Sequence, residues 1–371
     1  MKSITYIFSK HRKENYFNNN VEAKEFYYGL TEFDSKENNL NIIEFEDSKN
    51  VFNSLLLLID KVLRKFFSLP FYTSKICNIK NLKILLKTDH LFLVNESVGC
   101  STLPLLLVIK FYKKINVSLF VMGLYSKNLR FRYLKFFHNL LIKILIFFVD
   151  DVLFLGEGEM NKAINFHGKR KKKFIHMPFS IDTKFWNSTQ QDEMENRKKI
   201  IFVGNDGNRD YELLIQIAKK LRKYNFIFVS SNDKVQKLKF PNVEIVKGYW
   251  GSKDVTDTKL KEIYNGCRLS IIPLKESYQP SGQSVALQSM ALGLPVIISS
   301  TKGFWASENF IDKENIFFVY ENTIDTWVNK IIEIYEDPSM LGRVGKAGKE
   351  IVNKKYDLIS FYNKLLTLIG K

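Results

Sequence analysis

Residues 273–299 read PLKESYQPSGQSVALQSMALGLPVIIS, and this stretch contains the pattern that decides the fold. An apolar strand ends at Pro273, a polar loop with Pro-Ser-Gly follows, and the spacing predicts a helix over 284–292. A Gly-Leu-Pro turn then leads into a second apolar strand at 295–299. Two apolar strands joined by a helix predict a parallel βαβ unit, and therefore an α/β domain.

The first turn of the predicted helix is a candidate anion site. Gln283, Ser284 and Val285 occupy this turn, where backbone N–H groups have no partners within a helix. Gly282 precedes them and lets an anionic group approach the backbone closely. An ordinary capped helix is the alternative interpretation of this segment taken alone.

A second glycine loop lies upstream, at residues 203–209, which read VGNDGNR. It follows a predicted strand and precedes a predicted helix, so Arg209 is placed to reach a phosphate at the end of the sheet. Two such loops in one α/β domain predict a site for a nucleotide diphosphate, formed by Gly204, Asn205, Arg209 and the 281–284 loop.

Strands and helices alternate through the rest of the chain in two series, each typical of a parallel sheet with helices on both faces. In the first series the predicted strands are 4–9, 40–45, 90–95, 116–123 and 151–155, and the predicted helices are 21–31, 52–67, 102–112 and 130–148. In the second series the further strands are 199–204, 226–230, 243–246, 269–273 and 316–320, and the further helices are 211–224, 259–265, 326–335 and 358–369. The two series predict two doubly wound, Rossmann-like domains facing a central cleft, with ligands at the carboxyl ends of the strands.

The length of 371 residues suits two domains. We place the first domain at 1–185, a polar linker at 186–198 and the second domain at 199–350. Three separate cysteines show no metal-type or disulfide-type spacing, which indicates a reducing compartment. The short apolar run 4–8 is interpreted as a strand and not as a signal peptide, so we expect a cytoplasmic protein, peripheral on the inner face of the membrane.

The formal net charge of +17 is concentrated in the first half. Residues 97–149 contain no Asp or Glu, and their basic residues alternate with aromatic ones. This combination favours an anionic membrane surface, because charges meet lipid headgroups and rings enter the interface. We name Lys127, Arg130, Arg132 and Lys135 as the candidate membrane or acceptor surface. A solvated basic face is the alternative, and nucleic acid is disfavoured because no recognisable binding motif accompanies the charge.

Four blocks of the second half resemble the GT-B glycosyltransferases of family 4, the group 1 type. They are HMPFSID at 176–182 followed by Phe185, IFVGNDGNRDYELLIQIA at 201–218, YNGCRLSIIP at 264–273 and QSMALGLPV at 288–296. The resemblance is clear over 173–351 and faint before it. It implies a GT-B fold, in which the last helix, within 351–371, packs back on the N-terminal acceptor-side domain.

The family's donor-binding residues carry over only in part. Its phosphate-binding Arg and Lys fall on Asn205 and Arg209, so one of the two charges is kept. Its two glutamates fall on Pro280 and Gln288, and an amide at 288 can still hydrogen-bond a ribose hydroxyl. We expect Ser281, Gly282, Gln283 and Ser284 to hold the sugar and phosphates, with Lys275 and Glu276 on the same loop as substitutes for the missing charges.

The resemblance implies a glycosyltransferase that moves a sugar from a nucleotide-sugar donor to a glycan or lipid-linked acceptor with retention of configuration. No Asp-x-Asp motif lies in a suitable loop, so we expect no metal and no cofactor, and cations would neutralise the diphosphate. The family's usual histidine is replaced by Gly123-Leu124-Tyr125, and no catalytic base is assigned.

Three alternatives stay open at this stage. An inactive or weak nucleotide-sugar-binding module with the same fold would explain the missing charged residues. A non-hydrolysing epimerase shares the architecture but lacks matching catalytic acids here. A basic nucleic-acid-binding protein would show a steep salt dependence of its affinity.

Overall fold

The computed structural model describes residues 2–18, 20–33, 37–47, 51–127, 129, 131–168, 173–187, 197–248 and 254–370, without the side chains of 51–53. Contacts divide the chain into two compact units. Unit 1 consists of Met1–Val21, Tyr27–Pro178 and Tyr362–Lys371, and unit 2 consists of Glu22–Phe26 and Phe179–Phe361. Most of the predicted linker, residues 188–196, lies outside the described residues, as do residues 169–172 of the basic KRKKK run.

Unit 1 is built on a six-stranded parallel sheet with the order β2-β1-β3-β4-β5-β6. Its strands are β1 (Lys2–Phe8), β2 (Asn38–Glu44), β3 (His90–Leu93), β4 (Asn116–Val121), β5 (Asp151–Phe154) and β6 (Phe174–His176). Strands β3 and β4 carry almost continuous apolar runs because helices cover both faces of a parallel sheet.

The helices of unit 1 pack on the two faces of this sheet. Among the described residues they are α1 (Lys13–Phe17), α2 (Val51–Phe67), α3 (Ile79–Leu85), α4 (Glu96–Tyr112), α5 (Lys135–Phe148) and α6 (Glu157–His167). Helix α4 begins at Asn95, whose side chain accepts a hydrogen bond from the backbone N–H of Val98. Its buried residues join those of the sheet in one core.

Unit 2 repeats the architecture with a second six-stranded parallel sheet, in the order β12-β11-β10-β7-β8-β9. Its strands are β7 (Lys199–Val203), β8 (Asn225–Val229), β9 (Val243–Val246), β10 (Cys267–Ile272), β11 (Val296–Ser299) and β12 (Phe317–Val319). The first strand of the unit, β7, pairs with β8 on one side and β10 on the other. The order therefore reverses between β7 and β10, where open α/β sheets bind their ligands.

The helices of unit 2 follow its strands in alternation. They are α7 (Tyr211–Lys220), α8 (Asp233–Gln236), α9 (Asp257–Asn265), α10 (Gln283–Ala291), α11 (Ile324–Tyr335) and α12 (Pro338–Lys355), and a last helix, α13 (Leu358–Ile369), runs from unit 2 into unit 1. In unit 1 the end of α13 accepts a 2.6 Å hydrogen bond at Ile369 O from Lys2 Nζ. The predicted α/β class with two parallel sheets is thus confirmed.

The helix predicted at 21–31 is wrong. This segment contains two short 3-10 turns, Glu25–Tyr27 and Leu30–Glu32, separated by residues of positive φ. Tyr28 has φ of 51° and Gly29 has φ of 81°, and neither value is compatible with a right-handed helix. The start of the segment, Glu22–Phe26, belongs to unit 2 instead of continuing along unit 1.

Five of the described helices were missed, the short α1, α3 and α8 and the longer α6 and α12, and one helix was placed too early. Helix α6 was missed because its sequence is polar and begins with Gly156, which offers no side-chain cap. Helix α12 was missed because three glycines lower its helix propensity. The helix predicted at 130–148 begins at Lys135, after a short 3-10 turn, and Arg130 lies outside the described residues.

The glycines of α12 serve the packing of α10, the helix of the deciding sequence stretch. A Cβ atom added at Gly345 would lie 2.3 Å from the carbonyl oxygen of Gly293, just beyond the end of α10. Gly293 itself has φ of 76°, so the backbone turns there in a left-handed conformation. Close approach of the two backbones therefore requires glycine at 345 and fixes where α10 ends.

We predict that Gly345→Ala lowers the free energy of unfolding by about 2–3 kcal/mol, because the contact is with a backbone atom that cannot rotate away. Gly342 on the same helix is the matched control, since a Cβ atom there would meet no atom within 4 Å. Gly342→Ala is expected to raise stability by up to about 1 kcal/mol through helix propensity. Urea denaturation of both variants measures the difference, and equal effects would contradict the packing argument.

Candidate functional site

Two loops of unit 2 meet at the point where its strand order reverses. The loop after β7 and the loop after β10 are joined by backbone hydrogen bonds, from Asp210 N to Pro273 O at 3.0 Å and from Lys275 N to Asn208 O at 2.8 Å. A side-chain bond from Asn208 Nδ2 to Ser281 Oγ at 2.8 Å adds a third connection. The two glycine loops singled out in the sequence are therefore one structural feature.

Arg209 lies between these loops with its side chain only 3% exposed. A Cβ atom at Gly204 would lie 2.4 Å from Arg209 Nε, and one at Gly282 would lie 3.5 Å from its Nη1. Gly204 thus makes room for the guanidinium group, and Gly282 lies within ordinary contact distance of it. The structure brings Gly204 and Arg209, which were predicted from their motif, together with Gly282.

The guanidinium group of Arg209 is incompletely satisfied. Among the described residues, its Nε and Nη1 atoms have no hydrogen-bond partner. Asp206 Oδ2 lies 3.3 Å from Nη1 as an ion pair, without the geometry of a hydrogen bond. Buried charged donors are costly unless an acceptor completes them, so this arrangement favours an anionic ligand.

The amino end of α10 supplies further positive potential at the same place. The helix begins at Gln283, one residue before the predicted start, and its N-cap residue is Gly282, with φ of 80° and no side chain to cap the first turn. The first-turn amides and the helix dipole therefore favour negative charge beside Arg209.

A cavity of about 310 Å³ opens at this edge of the unit 2 sheet. Its walls include half of the predicted donor-binding residues, namely Gly204, Asn205, Arg209, Ser284 and Gln288. Asn205 is held by three hydrogen bonds, from its Nδ2 to Gly248 O at 2.9 Å, from Ser231 N to its Oδ1 at 2.5 Å and from Ser230 Oγ to its Oδ1 at 3.4 Å. The cavity can therefore offer polar groups from both glycine loops to one ligand.

The structure does not bring the other predicted residues to the cavity wall. Lys275 and Glu276 are exposed, and the Glu276 carboxylate accepts a hydrogen bond from Lys302 N at 3.0 Å. Ser281, Gly282 and Gln283 are buried in the loop and the helix start, behind the wall. These three residues support the loop and do not line the cavity.

Sequence reasoning missed a buried carboxylate next to Gln288. Glu25, from the short segment Glu22–Phe26 of unit 2, accepts hydrogen bonds at Oε1 from Gln288 Nε2 at 2.9 Å and from Trp186 Nε1 at 2.7 Å. Glu25 is 1% exposed, and this burial raises its pKa to about 7. A local pattern could not reveal this contact, because the region was predicted to be an ordinary helix.

The segment Glu22–Phe26 is attached to α9 of the same unit. Glu22 accepts a hydrogen bond from Thr258 N at 2.8 Å in the first turn of that helix. The Asp257 carboxylate accepts one from Ala23 N at 3.4 Å, and burial raises the pKa of Asp257 to about 6. Phe26, Asp257 and Gln288 all line the cavity, so the segment forms part of its wall.

Unit 1 has two further carboxylates at the carboxyl end of its sheet. Glu159 Oε1 accepts a hydrogen bond from Tyr125 N at 2.8 Å, and Glu96 lies 3.7 Å from Lys127 Nζ. Burial, and next the charge of Glu96, raise the pKa of Glu159 to about 8. The 123–125 loop, where the resembled family often has a histidine, is therefore held by a buried acid.

The described residues offer no obvious metal centre. No three His, Cys, Asp or Glu side chains of the described ranges are grouped as metal ligands would be. The histidines engage in protein contacts, for example His90 with Ser118 Oγ at 3.0 Å and His138 with Phe67 O at 2.6 Å.

Comparison with known proteins finds a family match in the segment that contains this site. Residues 197–337 match the family model described as Glycosyl transferases group 1, and this segment contains both glycine loops and α10. No curated protein matches the chain significantly by sequence. The structure as a whole has the GT-B fold of several solved glycosyltransferases.

Three of these structures illustrate the similarity. The HepE protein of Anabaena, solved in complex with UDP and glucose, is 11% identical, with a TM-score of 0.69 and complete coverage of both chains. The sucrose-phosphate synthase of Thermosynechococcus elongatus is 13% identical, with a TM-score of 0.69 over 99% of this chain and 98% of its own. A point mutant of TarM from S. aureus, in a complex containing UDP, is 16% identical, with a TM-score of 0.60 over 78% of this chain and 59% of its own.

We predict that Glu159→Gln reduces the pH dependence of stability. The pKa of Glu159 in the folded chain lies above its unfolded value, so the stability it contributes is fully present below about pH 4 and is lost as pH rises through about 8. A neutral amide removes this loss. Urea midpoints at pH 5 and pH 8 are expected to differ less in the variant than in the wild type, and an equal difference in both would exclude Glu159 as the titrating group.

Proposed function

We propose that this chain is a glycosyltransferase that binds a nucleotide-sugar donor in the cavity of unit 2. The observation that carries the proposal is the buried Arg209, whose Nε and Nη1 atoms have no hydrogen-bond acceptor among the described residues, together with the amino end of α10. This pair of features lies within the segment that matches the group 1 glycosyl transferases. A diphosphate supplies the acceptors that the guanidinium group lacks.

The wall residues suggest a role for each part of the donor. Arg209 and the first turn of α10 bind the diphosphate, with Ser284 as an additional donor of a hydrogen bond. Gly204 and Asn205 border the phosphate region, and the side-chain oxygen of Gln288 accepts a hydrogen bond from a ribose hydroxyl. We propose a UDP-hexose as the first donor to test, because UDP occupies the similar HepE and TarM structures.

The reaction we propose is hexosyl transfer with retention to a glycan or lipid-linked acceptor. The departing phosphate would take the acceptor proton, and Arg209 would stabilise its negative charge without a resident metal. Purified protein incubated with UDP-, GDP-, ADP- and CMP-sugars tests the activity through release of the nucleotide and formation of product. A thermal shift with the same donors identifies the one that binds.

An inactive nucleotide-sugar-binding module is the second candidate. It is favoured by Pro280 and Gln288, which stand where the resembled family has its two glutamates, and by Asn205 in place of an arginine. Such a module would bind the donor but would neither hydrolyse nor transfer its sugar. The nucleotide-release assay separates the two candidates.

We predict that Arg209→Ala weakens binding of UDP or the matching nucleoside diphosphate by about 1.5–3 kcal/mol, the range for a hydrogen bond to a charged group. Arg209→Lys keeps the charge but loses the planar fork, so an intermediate loss is expected. Arg343→Ala is the matched control, because Arg343 is an exposed arginine of α12 in the same unit. Titration calorimetry measures all four proteins.

Two results would count against the proposal. Unchanged affinity in Arg209→Ala would show that the buried guanidinium group does not bind the diphosphate. Equal losses in Arg209→Ala and Arg343→Ala would indicate a general electrostatic effect of removing one positive charge.

We also propose that unit 1 binds an anionic membrane surface. Helix α5 packs against both α2 and α4, and all three helices expose large apolar side chains. These side chains are Leu55, Leu57, Leu58, Ile59, Val62, Leu107, Val108, Phe111, Tyr112, Phe136, Phe137, Leu140 and Phe147. Exposed apolar surface of this extent is unusual unless it meets a partner or a membrane.

Positive charge accompanies this apolar surface. Lys127, Lys135 and Lys162 line a second cavity of about 310 Å³ at the start of α5, which suits a phosphate headgroup or an anionic glycan. Within the described residues, every helix falls short of the length or hydropathy of a membrane span. We therefore propose peripheral attachment on the inner face of the membrane, with transfer to the acceptor at the bilayer surface.

We predict that Arg132→Glu with Lys135→Glu strongly reduces co-sedimentation with vesicles containing anionic phospholipid. Each basic residue near such a surface contributes about 1 kcal/mol, and added salt weakens the effect. Lys127 is left unchanged because it is ion-paired with the buried Glu96. Lys219→Glu with Lys354→Glu, both exposed in unit 2, makes the same change in net charge as a control. Absence of wild-type binding at low salt would contradict the membrane proposal and leave a soluble acceptor.

A further inference from the structure

Gln288 stands between the donor cavity and a buried carboxylate. Its side chain lines the cavity, while its Nε2 atom donates a 2.9 Å hydrogen bond to Glu25 Oε1, and Glu25 is not itself a lining residue. Both side chains are at least 97% buried, at 3% and 1% exposure. Among the described residues, the carbonyl oxygen Oε1 of Gln288 has no hydrogen-bond partner, and it is not sealed from the cavity.

Glu25 cannot easily change its position. Trp186, whose side chain is completely buried, donates its Nε1–H to Glu25 Oε1 at 2.7 Å. Asp182 N approaches the other carboxylate oxygen at 3.4 Å. The start of the segment is held as well, since Glu22 and Ala23 bond to the first turn of α9.

The chemistry of this contact determines which way the amide points. Above about pH 7, where Glu25 is ionised, its carboxylate only accepts hydrogen bonds, so the amide must turn its NH₂ group toward Glu25. The carbonyl oxygen then occupies the other end of the amide plane. A glutamine without such a partner could rotate by half a turn and present two donors to the cavity instead.

We propose that Glu25 is a positioning residue that holds the Gln288 amide with its oxygen facing the cavity, as an acceptor for a hydroxyl of the donor's ribose. The inference rests on the proposed function and specifies how the amide of Gln288 can act as a hydrogen-bond acceptor for the ribose. A carboxylate at position 288 would present an oxygen in either rotamer, whereas an amide needs a partner to choose one. Glu25 is that partner, and it acts through Gln288 without touching the nucleotide.

A double-mutant cycle on nucleotide affinity tests this role. Glu25→Ala, Gln288→Ala and the double variant are titrated with UDP, or with GDP or ADP if one of these binds the wild type more tightly. Loss of one hydrogen bond is expected to weaken binding about three- to tenfold in each single variant. Because Glu25 acts through Gln288, the double variant is expected to bind no more weakly than Gln288→Ala alone.

The comparison between Gln288→Ala and the double variant separates positioning from a structural role. Removing Glu25 leaves Trp186 Nε1 without its acceptor in both backgrounds, and thermal unfolding records that loss. If Glu25 only supports the cavity wall, removing it weakens binding by the same factor with and without Gln288. Independent, multiplicative losses would therefore overturn the inference while leaving the proposed function intact.

An exchange of the two groups provides a second test that does not depend on truncation. Gln288→Glu places two carboxylates against each other in a buried position and is expected to weaken nucleotide binding at least fivefold at pH 8. Adding Glu25→Gln restores a donor–acceptor pair, so affinity is expected to return to within about threefold of the wild type. Failure of this exchange to recover binding would overturn the inference.

Absence of binding of UDP, GDP and ADP to the wild type would overturn the proposed function, and this inference with it.

Discussion

A buried positive charge needs anionic acceptors, and this requirement governs the carboxyl edge of the unit 2 sheet. Arg209 fills the space left by the absent side chain of Gly204 and approaches Gly282, so both glycine loops are shaped around one guanidinium group. The reversal of strand order between β7 and β10 brings those loops side by side. The Asn208–Ser281 hydrogen bond then holds them together, with the amino end of α10 beside the charge. The strand order, the two glycine positions and the placement of α10 thus all accommodate the buried charge of Arg209.

The sequence alone was sufficient for the parts of the molecule that local patterns encode. Buried parallel strands such as β7 and β10 are short apolar runs that end in glycine or proline, so their positions and the βαβ alternation could be predicted. The candidate site residues Gly204, Arg209 and Ser284, which line the cavity, could be named for the same reason, because each occupies a fixed offset from the end of a strand or the start of a helix. Lys275 and Glu276 lie in the loop after β10 but face solvent, because the position of a residue along a loop does not define the direction of its side chain.

What the sequence could not reveal depends on contacts between distant residues. Glu25 and Gln288 are 263 positions apart, and nothing near Glu25 indicates that its carboxylate is buried against an amide. The turn at Tyr28 and Gly29 was hidden by helix-compatible neighbours, and α12 was hidden by glycines whose purpose is close approach to the end of α10. In each case tertiary packing overrides the local preference of the chain. At these positions the chain departs from its local conformational preference. They are informative because packing in the folded structure must offset the free-energy cost of that departure.

The path of the chain through the two units has a consequence for any attempt to treat unit 2 as a separable module. Glu22–Phe26 lies within unit 2, although the sequence on both sides of it belongs to unit 1. A fragment beginning at Phe179 would therefore lack Glu25 and would leave the indole N–H of Trp186 and the amide of Gln288 without their buried acceptor. During translation, Glu22–Phe26 is synthesised long before the residues of unit 2 that it contacts. Chimeric proteins that exchange unit 2 by a single crossover would have the same defect, so a graft of unit 2 from this protein has to be made in two pieces.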